Sequence, residues 1–224
     1  MNLVASWSGG KDSCFACYKA IQEGHDVSHL LIMMSDPSKS NFHMIPSDMI
    51  DVQSQAIEIP IVKWTTTPGT YEQNFKKALL QIKAEGVEGI VTGDVFDVAL
   101  HEAGWLGRIC KEVSLTPVRP LWHHDTQRIL EEFIIEGFKA TLVRVKTDLL
   151  GMEWLGREIN KEFFNDLLKL GTVDPCGEQG EFHTFVTDGP LFKKRIEILE
   201  SEKVKLNGNG RLVIKRFEVK PKRS

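Results

Sequence analysis

Six residues near the amino end, Ser8-Gly9-Gly10-Lys11-Asp12-Ser13, have the chemistry of an anion cradle. Two adjacent glycines let the backbone turn tightly with its N–H groups pointing inward. A helix opening at Ser13 would add unpaired N–H groups and a partial positive charge, and Lys11 adds a full one. Polyphosphate is the natural guest of such a turn; the bland alternative is a glycine-rich turn with a surface lysine. The common mononucleotide loop G-x-x-x-x-G-K-[ST] does not fit. With its Gly-Lys set on Gly10-Lys11, Ala5 falls where the first glycine belongs and Asp12 where the magnesium-binding hydroxyl belongs.

A second constellation runs from Asp174 to Thr184, with three carboxylates, two glycines, a cysteine and a histidine in D-P-C-G-E-Q-G-E-F-H-T. Such a loop can present Glu178 and Glu181 to a cation, to an amine such as ammonia or to a basic part of a substrate, and Thr184 supplies a hydroxyl at the start of the next strand. A solvated turn is the other reading. Zinc at Cys176 and His183 lacks further ligands at a usable spacing. Cys14 and Cys17 form a C-x-x-C without a second pair, and read either as a redox pair or as packing residues inside a helix.

These groups need elements to hold them, and apolar β-rich runs alternating with helical patterns predict βαβ units. Predicted strands are Asn2–Trp7, Val27–Met34, Ile61–Trp64, Gly89–Thr92 and Pro117–Pro120; predicted helices are Ser13–Glu23, Asp48–Ile57, Tyr71–Glu85 and Ala99–Val113. The expected architecture is a five-stranded parallel α/β sheet over residues 1–120, followed by a smaller α+β part over 121–224. That second part carries predicted helices Thr126–Glu136 and Lys161–Lys169. Its predicted strands are Thr141–Val145, Phe185–Thr187, Arg195–Leu199 and Arg211–Val219, with Asn207-Gly208-Asn209-Gly210 as the turn between the last two.

In an open parallel sheet, ligands gather outside the carboxyl ends of the strands, where strand order reverses. Besides the Ser8–Ser13 turn, three segments are predicted to line that crevice. After the second strand comes Met33-Met34-Ser35, whose backbone can read an adenine edge. In the following loop, His43 is either a substrate or nucleotide contact or an exposed histidine. After the fourth strand come Gly93, where absent bulk permits close approach, and Asp94, which either binds Mg²⁺ or nucleotide or caps the next turn.

Composition removes whole classes. The 224 residues carry 28 basic and 31 acidic side chains, net −3, too balanced for a general polyanion binder, so nucleic acid is not an expected partner. The basic cluster at Lys215–Arg223 reads as a solvated strand end. Apolar residues at 42% and charged ones at 26% suit a globular chain with a proper core. No run approaches the ~20 apolar residues that span a bilayer, and no cleavable apolar segment precedes the glycine-rich turn. Four sparse cysteines lack a secreted framework, so a cytoplasmic location is expected.

S-G-G-K-D-S between a strand and a helix resembles the pyrophosphate loop of N-type ATP pyrophosphatases, a superfamily on the HUP-type fold. Together with G-E-Q-G-E-F-H-T-F-V-T-D-G-P-L-F-K-K-R-I, it resembles the diphthine–ammonia ligase family. Further matches follow in order along nearly the whole chain. They are Gln53 and Ala56 before Ile59-Pro60, E-G-V-E-G-I-V-T-G-D, Arg108-Ile109-Cys110, Pro120-Leu121-Trp122 and Trp154-Leu155-Gly156-Arg157. Two departures stand out: Glu58 where relatives often show glycine, and Phe182-His183 where many eukaryotic and archaeal members show Tyr-Glu.

The resemblance implies a reaction and a site. A carboxylate oxygen attacks the α-phosphorus of ATP, giving an acyl adenylate and pyrophosphate, and ammonia then displaces AMP to form an amide. Ser8, Gly9, Gly10 and Ser13 would hold the terminal phosphates, Lys11 would balance charge on the departing pyrophosphate, and Asp12 would order the loop or reach magnesium. Glu178 and Glu181 are implied in handling ammonia or substrate, and Thr184 in binding substrate. Arg108 and Arg157 are either clamps for a phosphate or substrate anion, or structural ion-pair partners. The implied cofactors are ATP and Mg²⁺. The implied partners are ammonia and a carboxylate-bearing acceptor, an elongation factor carrying diphthine if the source is archaeal or eukaryotic; a homo-oligomer is compatible. The alternatives are another adenylating enzyme, for RNA thiolation or small-molecule amidation, and a nucleotide-binding regulator without chemistry.

Overall fold

The computed structural model describes residues 1–35, 45–97 and 103–222. Chain contacts divide it into two units. One comprises Met1–Ser8, Asp12–Gln55 and Ile59–His123; the other comprises Gly9–Lys11, Ala56–Glu58 and His124–Ser224.

The first unit is built on five parallel strands, β1 (Asn2–Ser6), β2 (Asp26–Met34), β3 (Ile61–Thr65), β4 (Gly89–Val91) and β5 (Thr116–Val118), in the order β3-β2-β1-β4-β5. The central strands are apolar runs because both sheet faces are covered. Leu3, Val4 and Ala5 of β1 and Leu30 to Met34 of β2 are all buried. Four helices connect the strands: α1 (Lys11–Gln22), α2 (Ser47–Ile57), α3 (Tyr71–Lys83) and α4 (Trp105–Val113). Right-handed crossovers that run from β1 through β2 to β3 in one direction and from β3 through β4 to β5 in the other put α1 and α2 on one face and α3 and α4 on the other. Phe75, Ala78, Leu79 and Ile82 of α3 and Leu106, Ile109, Cys110 and Val113 of α4 pack in one core with Val4, Leu31, Met33 and Ile90.

Two helix starts differ from the predicted ones. Helix α1 opens at Lys11, two residues before Ser13, so Lys11 and Asp12 lie in its first turn. Helix α4 opens at Trp105 behind left-handed Gly104, and the predicted start at Ala99 lies outside the described residues. Helix α2 ends where Glu58 adopts φ 66°, a left-handed cap geometry that favours glycine.

The second unit contains α5 (Thr126–Ile135), β6 (Lys139–Lys146), α6 (Lys161–Leu170), β7 (Phe182–Asp188), β8 (Lys194–Leu206) and β9 (Asn209–Pro221). Asp125 and Asn160 cap the two helices by accepting the main-chain N–H groups of Arg128 and Phe163, each at 2.9 Å. The strands form an antiparallel sheet in the order β7-β6-β9-β8. Strands β8 and β9 are thirteen residues each, well beyond the predicted Arg195–Leu199 and Arg211–Val219. Asn207 and Gly208 join them with φ 49° and 73°, the two left-handed residues of a tight hairpin turn.

Candidate functional site

The first unit sets the exit from β1. The main-chain N–H of Trp7 donates to Leu31 O at 2.7 Å, and its indole Nε1 donates to Oε1 of the buried Gln53 on α2 at 3.1 Å. Ser8 N donates to Ser13 Oγ at 3.3 Å and the two hydroxyls lie 3.1 Å apart, so the turn folds back onto the first turn of α1. That turn ends at a helix N-terminus, whose first N–H groups have no intrahelical acceptor.

Strand order reverses between β1 and β4, and the residues after β4 meet those after β1. A side chain at Gly93 would bring its Cβ to 2.5 Å from the Asp12 carbonyl carbon and 2.6 Å from Ser13 N. The close approach that glycine permits here is therefore to the chain's own helix start. Neighbouring Thr92 has a buried Oγ1 without a hydrogen-bond partner. Asp94 sits near the phenol of Tyr71, which burial first and the Asp94 charge second push up to about 12. Met33 has its side chain in the core, and the carbonyl of Met34 accepts from Thr66 N at 2.8 Å.

The middle of the glycine-rich turn belongs to the second unit, where β7 runs along it. Val186 N donates to Gly9 O at 3.0 Å, and Lys11 N donates to the buried Oγ1 of Thr184 at 3.0 Å. Gly9 itself has φ 81°. The buried Lys11 ammonium donates to the carbonyl of Cys176 and lies 5.5 Å from the centre of the Phe182 ring. Thr184 thus touches the glycine-rich turn itself.

The acidic loop is held by its own carboxylates. Buried Glu181 accepts Asp174 N at 3.0 Å and Gln179 N at 2.9 Å, one on each oxygen. Asp174 Oδ1 accepts Cys176 N at 2.8 Å and Glu178 N at 3.3 Å, while Oδ2 takes the Thr126 hydroxyl at 2.8 Å. Glu181, expected to handle ammonia or substrate, organises the loop with its two oxygens. Glu178 is the exposed carboxylate of the pair. Asp174 was not singled out beforehand. An aspartate before proline opening a glycine-rich loop is the local signal for such a turn.

Two arginines expected to contact an anion are engaged in ion pairs. Arg108 makes a two-pronged pair with Glu72 at 3.1 and 2.8 Å, and another with Glu112 at 2.8 Å, tying α4 to α3. Arg157 pairs with Asp166 at 2.7 Å and lies over the Trp154 ring at 4.5 Å. Both guanidiniums therefore have the structural ion-pair partners that were the second reading of each. His43 lies outside the described residues.

Cys14 and Cys17 are buried and free, with their thiols pushed up by burial, Cys17 to about 12, which favours packing over redox exchange. Among the described residues no three His, Cys, Asp or Glu side chains converge on a metal position. Among the same residues no helix is long and apolar enough to cross a membrane.

Fold and turn together define a class: open parallel α/β domains in which a glycine-rich strand-to-helix turn lies where strand order reverses. Family models are more specific. The diphthamide synthase N-terminal domain matches residues 1–117 and the diphthamide synthase C-terminal domain residues 125–219, so the chain belongs to the diphthamide synthase family. The diphthine–ammonia ligase of Mus musculus is 29% identical, over 91% of this chain and 85% of that protein. The Homo sapiens diphthine–ammonia ligase is 28% identical with the same two coverages. A crystal structure described as a predicted subunit of tRNA methyltransferase from Methanocaldococcus jannaschii is 16% identical, with TM-score 0.49 over 85% of this chain and 98% of that one.

Proposed function

We propose that this chain is an ATP-dependent amide-forming ligase of the diphthine–ammonia type. It adenylates a carboxylate with release of pyrophosphate, then forms an amide from the acyl adenylate and ammonia with release of AMP. A carboxylate is a poor acyl donor until one oxygen joins a good leaving group, and exclusion of water favours ammonia over hydrolysis. The observation that carries the reading is the bond from Lys11 N to Thr184 Oγ1, which joins the S-G-G-K-D-S turn to the G-E-Q-G-E-F-H-T segment inside one unit.

In this reading Ser8, Gly9, Gly10 and Ser13 take the terminal phosphates with hydroxyls and amides. An ammonium has three donor hydrogens, so the bond from Lys11 to Cys176 O is compatible with a contact to the departing pyrophosphate. Met33, Gly93 and Asp94 flank the nucleotide at the ends of β2 and β4. Magnesium bound to a triphosphate needs only one or two protein carboxylates, and Asp12 and Asp94, which follow β1 and β4, are the acids that would hold it. It would withdraw charge from the phosphate oxygens. We assign Glu178 to ammonia or acceptor handling, and Thr184 and Glu181 to positioning. The acceptor is an elongation factor carrying diphthine.

The test is to incubate the protein with ATP, magnesium, ammonium and diphthine-bearing elongation factor. The expected result is equal AMP and pyrophosphate, together with the mass change of carboxylate to amide on the factor. AMP without that mass change rejects the acceptor. ADP and orthophosphate reject the chemistry.

A further inference from the structure

On the antiparallel sheet three basic residues stand in one row. His183 of β7 lies opposite Arg144 of β6, and Arg144 lies opposite Arg211 of β9. Residues directly opposite on antiparallel strands share a face with their Cβ atoms about 5 Å apart, and like charges so placed are destabilising. A pair of guanidiniums in that relation runs against stability unless something negative lies between them. Violations of this kind mark functional positions.

The two arginines of the row differ from others in the chain. Arg108, Arg128, Arg157, Arg195 and Arg216 each have a carboxylate within 4 Å. Among the described residues no carboxylate is ion-paired with Arg144 or Arg211. Arg144 is oriented instead by an amide and an imidazole. Its Nε and Nη2 donate to Asn209 Oδ1 at 3.2 and 3.0 Å, and its Nη1 is 3.3 Å from His183 Nε2. Burial, and after it the Arg211 charge, push Arg144 below the ordinary guanidinium value. The Nε of Arg211 is buried without a hydrogen-bond partner. A preoriented guanidinium, a second with an unmet donor and an imidazole make an arrangement that planar oxyanions satisfy with paired bonds.

We propose that Arg144, Arg211 and His183 form an oxyanion subsite that takes a carboxylate or phosphate carried by the acceptor. Assigning the anion to the acceptor rests on the ligase reading; binding of the anion does not. The experiment uses the full chain without ATP. Inorganic phosphate and succinate are titrated separately while the His183 imidazole resonance, identified by its loss in His183→Gln, is followed by NMR. The expected result is a saturable shift with one anion or both, the stronger of the two naming the preferred group. Arg211→Gln and Arg144→Gln should each weaken it roughly tenfold or more. Relieved of one like charge, Arg211→Gln should melt no lower than the parent chain, and Arg211→Lys should retain part of the binding. The proposal is overturned if neither anion gives saturation, or if affinity is unchanged in folded Arg211→Gln. It is equally overturned if the shift disappears only when Ser8 and Ser13 are replaced by alanine, since the anion then sits in the phosphate turn. Failure of the ligase reading would show in the AMP assay, which is independent of this resonance.

Discussion

Thr184 shows how much one hydroxyl can hold. Its Oγ1 is the acceptor for the buried main-chain N–H of Lys11, and Thr184→Ala leaves that donor without a partner, a loss of about 1–3 kcal/mol. Thermal unfolding should register it and AMP formation should fall with it, whereas Thr184→Ser should restore both. At Glu58 the expected sign is opposite. The residue sits at φ 66°, so Glu58→Gly should stabilise the chain by about 0.5–1 kcal/mol, measured as a raised urea midpoint at constant slope. Residue types read along the chain were enough to find the Ser8–Ser13 turn, because its chemistry lies in adjacent positions. The same reading did not foresee that Glu181 accepts amides of its own loop, and passed over Asp174. Which way a carboxylate points depends on backbone geometry that composition does not state.

Packing between helices α3 and α4 has its own pH dependence. Hydrogen bonds from Arg108, then Lys76, then Trp105 hold the Glu72 carboxyl well below the usual carboxylate range. A carboxyl lowered on folding stabilises the native state above its unfolded value, about 4.3, and that stabilisation fades as pH falls below it. Glu72→Gln should therefore be less stable than the parent at pH 7, with the difference shrinking in acid. Glu72 is more than a third exposed, so solvent screening holds the effect to about 1 kcal/mol or less. Urea titrations of both proteins at pH 7 and pH 3 would measure the two gaps. Element types in the parallel sheet were legible from apolar runs and glycine stops. Element ends were less so: β8 and β9 extend through charge-rich residues such as Glu200, Glu202, Lys203 and Lys205, which carry no apolar alternation. Their ladder is maintained by mutual pairing and by the Asn207-Gly208 turn.

For the molecule as a whole, the four cysteines report on opening. All are buried and outside any disulfide, and the raised thiols of Cys14, Cys17 and Cys110 contain almost no thiolate at neutral pH. A thiol reagent should modify them only as fast as the protein unfolds, with rates that rise together in urea; fast modification of Cys14 and Cys17 in the native chain would restore the redox reading. The division into two units was legible only as a break in texture near residue 121. The sequence order hides that Gly9–Lys11 group with residues 124–224, since that grouping arises from contacts between distant segments. The bond between Lys11 and Thr184 spans 173 positions of chain. On the ribosome, where synthesis runs at roughly 5–20 residues per second, the strand and helix flanking the turn are made well before its anchor, which arrives only after residue 184 has emerged. Until then the nascent polypeptide lacks a closed Gly9–Lys11 turn, and on the ligase reading proposed above it has no seat for a nucleotide.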